Sequence, residues 1–330
     1  MSSQTLPPPA AATDAIATQR SGWTIAYLLL AIAPLCWAGN HVLGRAVVGH
    51  VPPGGLSMLR WLVAALVLTP FALSHVRRDW PALVEKSGTV IFLSLVGAGV
   101  FSTMQFVVAR WTPALNMSVL NSVAPVMILL ASRVLFGDRL RWLQLLGVTI
   151  SLGGLMVIAT QGDLVRLASL SFETGDLAVI ANMLLWAIYC ACLRLRPNVH
   201  WISFTYVLIV ISCIVNMPYA AFEHWTGTTL QANGLTVVAV LYSAVCTSVL
   251  AYACWNRGVE MIGAPRASAF LHLIPLYGAL LATTILGESL HGFHVAGFLL
   301  ILSGVWLAAR PQTPSALRVT GPVREWKPAG

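Results

Sequence analysis

Residues 114–156 read ALNMSVLNSVAPVMILLASRVLFGDRLRWLQLLGVTISLGGLM, and residues 264–306, 150 positions later, read APRASAFLHLIPLYGALLATTILGESLHGFHVAGFLLILSGVW. Pro125, Gly137-Asp138-Arg139-Leu140, Gly147 and Gly154 of the first stretch return as Pro275, Gly287-Glu288-Ser289-Leu290, Gly297 and Gly304. Both stretches are almost entirely apolar, which excludes a soluble repeat protein. A duplicated hydrophobic half is the pattern of a secondary transporter, whose substrate site lies where the halves meet.

The rest of the chain has the same character. Hydrophobic residues make up 58% of the 330 and charged residues only 9%, against about a quarter charged in soluble domains. A helix needs about 20 apolar residues to cross a hydrocarbon core about 30 Å thick. Ten such windows are present, near 23–47, 54–74, 87–109, 113–136, 142–160, 175–195, 201–222, 235–257, 263–286 and 292–309. An outer-membrane barrel would alternate apolar and polar residues, and runs such as Leu299-Leu300-Ile301-Leu302 do not. The expected fold is an all-α integral membrane protein, ten transmembrane helices around a central cavity. Residues 1–21 and 310–330 read as solvated, disordered tails, 22–160 and 175–309 as the two repeats, and 161–174 as their connection.

The basic residues supply the orientation, because cytoplasmic segments carry the excess of Lys and Arg. With the N-terminus inside, fourteen of the nineteen fall on inside segments, including Arg77, Arg78, Arg194, Arg196 and Arg257. Three (Arg45, Arg110, Arg166) fall outside, and Arg60 and Arg133 lie within helices. Both termini are therefore expected in the cytoplasm, with the protein in the cell (inner) membrane. Five helices per half is odd, so the second half enters the membrane inverted. The Gly137-Asp138 corner should then be cytoplasmic and Gly287-Glu288 external. The net charge of +8 follows from the spread of these residues over short loops and calls for no nucleic-acid partner. The six cysteines all lie in apolar windows without CxxC spacing and read as small core residues. No metal site and no cofactor is expected.

Several motifs run in order through the chain: Leu35-Cys36-Trp37-Ala38-Gly39-Asn40, Pro52-Pro53, Leu59-Arg60-Trp61, Thr112-Pro113-Ala114, Ala124-Pro125 and Phe136-Gly137-Asp138-Arg139-Leu140, with Leu184-Leu185-Trp186-Ala187 echoing the first. In this order and duplication the chain resembles the EamA-type members of the drug/metabolite transporter superfamily, over all but the tails. The resemblance implies a ten-helix bundle with a central cavity that moves small organic solutes by alternating access. Its cargo would be amino acids or related metabolites, exported, or alternatively amphipathic or cationic drugs. Gly137-Asp138 stands where the family favours Gly-Glu, a conservative departure.

Polar side chains inside a membrane are costly and usually face the bundle interior. Trp37, Asn40 and His41 share one face of the first helix, and Asn182, Trp186 and Tyr189 one face of the sixth. Gln105 with Ser102, Tyr252 with Trp255, Asn121 with Ser122, and His272 with Ser268 form stripes on the third, eighth, fourth and ninth. As candidate substrate contacts these contribute Trp37, Asn40, His41, Gln105, Asn121, Trp186, Tyr189, Tyr252, Trp255 and His272. The competing reading is helix packing, in which interhelical hydrogen bonds contribute about 0.6 kcal/mol each. Pro125 and Pro275 read as a shared kink. Arg60, two turns into the second helix, either snorkels to the outer interface or clamps a carboxylate or phosphate.

No phosphate-binding loop of the ATPase type is present, and no Asp or Glu lies mid-membrane. Proton coupling would rest on His41 or His272, unless either is a neutral, hydrogen-bonded packing group. An intramembrane enzyme would need an HExxH motif, a nucleophile beside a base, or paired carboxylates. A channel would need a charged ring or carbonyl filter. None is visible, and the sequence is silent on oligomeric state.

Overall fold

The computed structural model describes residues 9–46, 51–108, 120–163, 174–227, 230–231, 233–286 and 291–310, and every regular element among them is helical. Ten segments follow one another: α1 (Pro9–Ala46), α2 (Pro53–Glu85), α3 (Ser87–Val108), α4 (Ala124–Phe136), α5 (Trp142–Ala159), α6 (Thr174–Cys192, with a 3-10 turn Leu193–Leu195), α7 (Trp201–Trp225), α8 (Gly234–Ile262), α9 and α10 (Gly292–Ala309). Segment α9 is composite, built of Ala264–Ala267, a 3-10 turn Ser268–His272, and Leu273–Leu286. They coincide with the ten apolar windows to within a few residues, except that α2 continues to Glu85, α8 to Ile262, α1 begins at Pro9, and α4 begins at Ala124 in a window expected over 113–136, whose residues 113–119 lie outside those described. Residues 9–21, expected as part of a disordered tail, are helical instead; Ala10–Ala12, Ala15 and Ala17 are the best helix formers. The Gly287-Glu288 corner, Ser118 and the 310–330 tail beyond Arg310 lie outside the described residues.

Eight of the segments are long and apolar enough to cross a membrane. The other two, α4 and α9, occupy equivalent places in the two halves, and both are interrupted. A turn at Ser122–Val123 precedes α4, and the 3-10 turn Ser268–His272 breaks α9. The equivalent pair α3 and α8 is irregular too, carrying π-helical stretches at Leu95–Gly99 and Ser243–Ala251. The other helices are continuous.

The crossing of α5 and α10 establishes how the halves are related. A Cβ built on Gly154 would stand 2.7 Å from the carbonyl oxygen of Gly297, and one on Gly297 2.8 Å from that of Gly154. Gly147 and Gly304 meet in the same mutual way. Gly147 is equivalent to Gly297, and Gly154 to Gly304. Gly154 therefore contacts the equivalent of Gly147, and Gly147 the equivalent of Gly154, as at an isologous two-fold interface. Because low-numbered positions of α5 face high-numbered positions of α10, the helices are antiparallel and the axis lies across them, in the membrane plane. The two halves are inverted repeats.

The α2–α7 pair obeys the same symmetry with charges. Pro52 offers α2 no side-chain cap, and Glu223 of α7 supplies one: its Oε2 accepts from the amides of Gly54 (2.8 Å) and Gly55 (3.1 Å). At the opposite end Asp79 of α2 caps α7, its Oδ2 accepting from the His200 amide (2.9 Å) and the Ser203 hydroxyl (2.7 Å). A carboxylate at a helix N-terminus satisfies free amides and meets the positive end of the dipole. The remaining contacts are also mirrored, with α1 against α8 and α9 as α6 lies against α3 and α4.

Two predictions follow from these contacts. Gly154→Ala forces a methyl against the α10 backbone and should lower the melting temperature of the purified protein in detergent. Gly153→Ala, where the new Cβ meets nothing within 4 Å, should leave it unchanged or raise it slightly. The loop residue His200 stacks on His75 at 4.1 Å. Burial, then the neighbouring His75 and Arg78, hold its pKa below the ordinary 6.5 against the pull of Asp79. A lowered folded pKa gives a histidine stabilisation that is complete above 6.5 and lost as the pH falls below it. Melting temperatures measured from pH 7.5 to 5.5 should fall less in His200→Asn than in the wild type.

Candidate substrate site at the centre of the bundle

Trp37 of α1, Trp186 and Tyr189 of α6, and Tyr252 and Trp255 of α8 come together in one aromatic cluster. Trp37 and Trp186, equivalent residues of the two halves, meet edge to face at 5.4 Å. Trp255 lies 5.5 Å from Trp37 and 5.8 Å from Trp186, and Tyr189 lies 5.3 Å from Trp186. Trp61 of α2 adds an edge contact to Tyr252 at 5.6 Å, and Phe101 of α3 stacks on Trp186 at 4.8 Å. Offset and edge-to-face pairs are the favoured aromatic geometries. Four of the five expected aromatics are buried, and Trp37 is half-buried.

The irregular backbone of α3 is what admits this cluster. A side chain at Gly97 would overlap the Tyr189 ring, so glycine is required there for α6 to approach. The Gly97 carbonyl, inside the π stretch, accepts from the Tyr252 hydroxyl at 2.7 Å. The Gly99 carbonyl accepts from Asn216 Nδ2 at 3.2 Å, and Asn216 also bonds Thr103. On the α8 side the Tyr189 hydroxyl donates to Asn256 Oδ1 at 2.6 Å.

Arg60 adjoins the cluster and does not snorkel. Its side chain is 3% exposed, with the guanidinium carbon 4.5 Å from the Trp61 ring centre and 5.7 Å from that of Phe106. Among the described residues no carboxylate pairs with it, and its Nε has no partner. Cation–π contact offsets part of the cost of burying the charge, but an unpaired buried ion costs several kcal/mol. From Arg60 a closed circuit of contacts runs through Trp61, Tyr252 and Trp186. One turn along α6 it reaches Asn182, whose Nδ2 donates to Gln105 Oε1 at 2.9 Å, and Phe106 beside Gln105 returns it to Arg60. Asn182 Oδ1 and Asn121 Oδ1 are buried acceptors without partners. The interior thus holds a cationic donor and the Asn182 amide acceptor at the edge of an aromatic wall, with Asn121 a further buried acceptor ahead of α4.

The other candidates are not members of that circuit. Asn40 accepts from Ser243 Oγ at 2.7 Å and ties α1 to the π stretch of α8, and His41 is exposed. His272 is 1% exposed and engaged on both nitrogens: Nδ1 with the Ser151 hydroxyl, Nε2 with the Ser122 carbonyl at 3.0 Å. It joins α9 to its own equivalent position, Ser122, in the turn before α4. Sequence reasoning did not single out Trp61, Phe101, Asn216 or Asn256. Trp61 was visible as the neighbour of Arg60, and Asn256 as the polar residue next to Trp255.

The model of the EamA-like transporter family matches residues 24–160 and 173–310, one match on each half. The chain belongs to this family. It is accordingly a multi-pass membrane transporter of the drug/metabolite type and not an enzyme. It is similar to the uncharacterized transporter YyaM of Bacillus subtilis, 24% identical over 86% of this chain and 93% of that one. A protein of Streptantibioticus cattleyicolor named "probable terminal-alkyne amino-acid exporter" is 25% identical over 85% of this chain and 92% of its own. One of Salmonella typhimurium named "probable amino-acid metabolite efflux pump" is 22% identical over 84% and 93%. A solved crystal structure superposes with a TM-score of 0.67 at 22% identity, covering 88% of this chain and 96% of that one, which establishes the common fold.

Proposed function

We propose that the protein is a secondary carrier that exports amino acids or closely related metabolites by alternating access, with the substrate bound between the halves. The observation that carries this reading is Arg60, a buried guanidinium that no carboxylate among the described residues pairs with, at the rim of the aromatic cluster. Hydrocarbon around it makes that charge expensive, and a bound carboxylate would neutralise it with charge-assisted, bidentate hydrogen bonds. The free oxygen of Asn182 suits an ammonium, and the indoles suit an apolar or aromatic side chain. The printed names of two relatives point to the same cargo class. Lipophilic cations, which the aromatic wall alone would suit, are disfavoured by the fixed positive charge of Arg60.

The same reading assigns the faces. The ion pairs Arg194–Asp138 and Arg196–Glu260, and the Asp79 cap on α7, gather the arginine-rich ends of α2, α6 and α8 on one side. By the excess of Lys and Arg that side is the cytoplasm, which puts Glu223 and the start of α2 outside.

Comparing extracellular metabolites of cells with and without the protein names the cargo without assuming it. With that cargo, Arg60→Gln should reduce transport kcat/KM about tenfold or more, the scale of one lost charge-assisted hydrogen bond, while the melting temperature of the empty protein holds or rises because an unpaired buried charge has been removed. Unchanged kinetics would exclude the clamp, and a lower melting temperature would make Arg60 a packing residue.

A further inference from the structure

Next to the aromatic cluster, where α6 and α8 end, the structure holds a cavity of about 430 Å³, the size of a small-molecule site. Arg194, Arg196, Asn198, Asn256 and Glu260 contribute its polar wall, and Leu193 and Val259 part of the apolar one. It is a separate space from the circuit around Arg60, linked to it by the hydrogen bond from Tyr189 to Asn256.

Two features of the wall point to a ligand. Asn256 is 2% exposed, its Oδ1 occupied by Tyr189, while its Nδ2 is buried without a partner. A buried amide donor left unsatisfied costs about 1–3 kcal/mol, a cost that a bound acceptor removes. The charges are also unequal. Glu260 is shared between two guanidiniums, Oε1 with Arg196 and Oε2 with Arg257 at 2.6 Å, so that each arginine holds one carboxylate oxygen. Arg194 is matched by Asp138. The wall itself carries two guanidiniums, Arg194 and Arg196, against the one carboxylate of Glu260, with Asp138 and Arg257 outside the lining, and a guanidinium fork accommodates a carboxylate through two parallel hydrogen bonds.

We propose that this cavity is a second, carboxylate-binding site at the end of the bundle away from Glu223, in which Arg196 and Asn256 Nδ2 hold the carboxylate of a small organic solute. The Tyr189–Asn256 bond then couples its occupancy to the aromatic cluster. For an exporter this is the place where the solute is first captured from the cytoplasm. That role rests on the carrier reading above; the binding chemistry does not.

The test uses the full chain in nanodiscs of neutral phosphatidylcholine, titrated with acetate, phenylacetate and L-leucine and with the matched amides acetamide, phenylacetamide and L-leucinamide. At least one carboxylate should bind tenfold or more tightly than its amide. Asn256→Asp keeps the acceptor for Tyr189 but sets a negative charge where the donor was, and should abolish that preference. Arg196→Gln, removing the other donor, should weaken the same carboxylate at least tenfold, with melting temperatures confirming that both variants fold. Equal binding of acids and amides, or a preference that survives both substitutions, overturns the proposal. So does carboxylate binding that disappears when anionic lipid is added to the nanodisc, which would mark the cavity as a seat for a lipid headgroup. Transport without this preference removes the second site and leaves the carrier; the preference without any transport in liposomes does the reverse.

Discussion

Hydrocarbon offers the backbone no hydrogen bonds, so a helix inside a membrane can break only where protein groups take over the freed amides and carbonyls. In this protein the breaks come in equivalent pairs, π stretches in α3 and α8 and interruptions at α4 and α9, and side chains of the second half serve the freed carbonyls of the first. Tyr252 of α8 serves the Gly97 carbonyl of α3, Asn216 of α7 serves Gly99, and His272 of α9 serves Ser122 before α4. The second half thus completes the backbone of the first. The irregular segments are therefore held where the halves meet, next to the aromatic cluster and Arg60.

The regular pairs play the opposite part. The α5–α10 crossing brings glycines into backbone contact in two reciprocal places, and the α2–α7 pair is capped at both ends by carboxylates. Neither pair contains a break. Alternating access asks for elements that rearrange around elements that do not, and the two kinds lie side by side here: closely packed, capped pairs, and interrupted helices with side-chain-repaired backbone that pack against them.

Much of this was legible in the chain. The spacing of 150 residues and the excess of positive charge on alternate loops were enough for ten windows and an inverted pair, because bilayer thickness and loop charge act on sequence directly. Helical stripes were enough to place Trp37, Trp186, Tyr189, Tyr252 and Trp255 on inward faces, since one face of a helix is a matter of counting. Side-chain reach was not legible. Arg60 is long enough to leave the membrane or to lie over Trp61, and only the packing of α3 through Phe106 decides between them. The caps made by Glu223 and Asp79 were not legible either, because their partners, amides near 54 and 200, are distant in sequence. The π stretches carried no proline, so the reading of kinks stopped at Pro125 and Pro275; Gly97 and Gly99 were the available signal. For His272 a structural bond and a proton relay were both open, and the structure engages both of its nitrogens.

The central claim is that a substrate is carried through a site shared by two inverted halves rather than passing through an open pore. Counterflow in proteoliposomes tests it most directly: vesicles loaded with the exported metabolite should take up labelled metabolite transiently above equilibrium, and only when loaded. Uptake that is the same in loaded and empty vesicles, or a labelled pool that never exceeds equilibrium, would contradict the account.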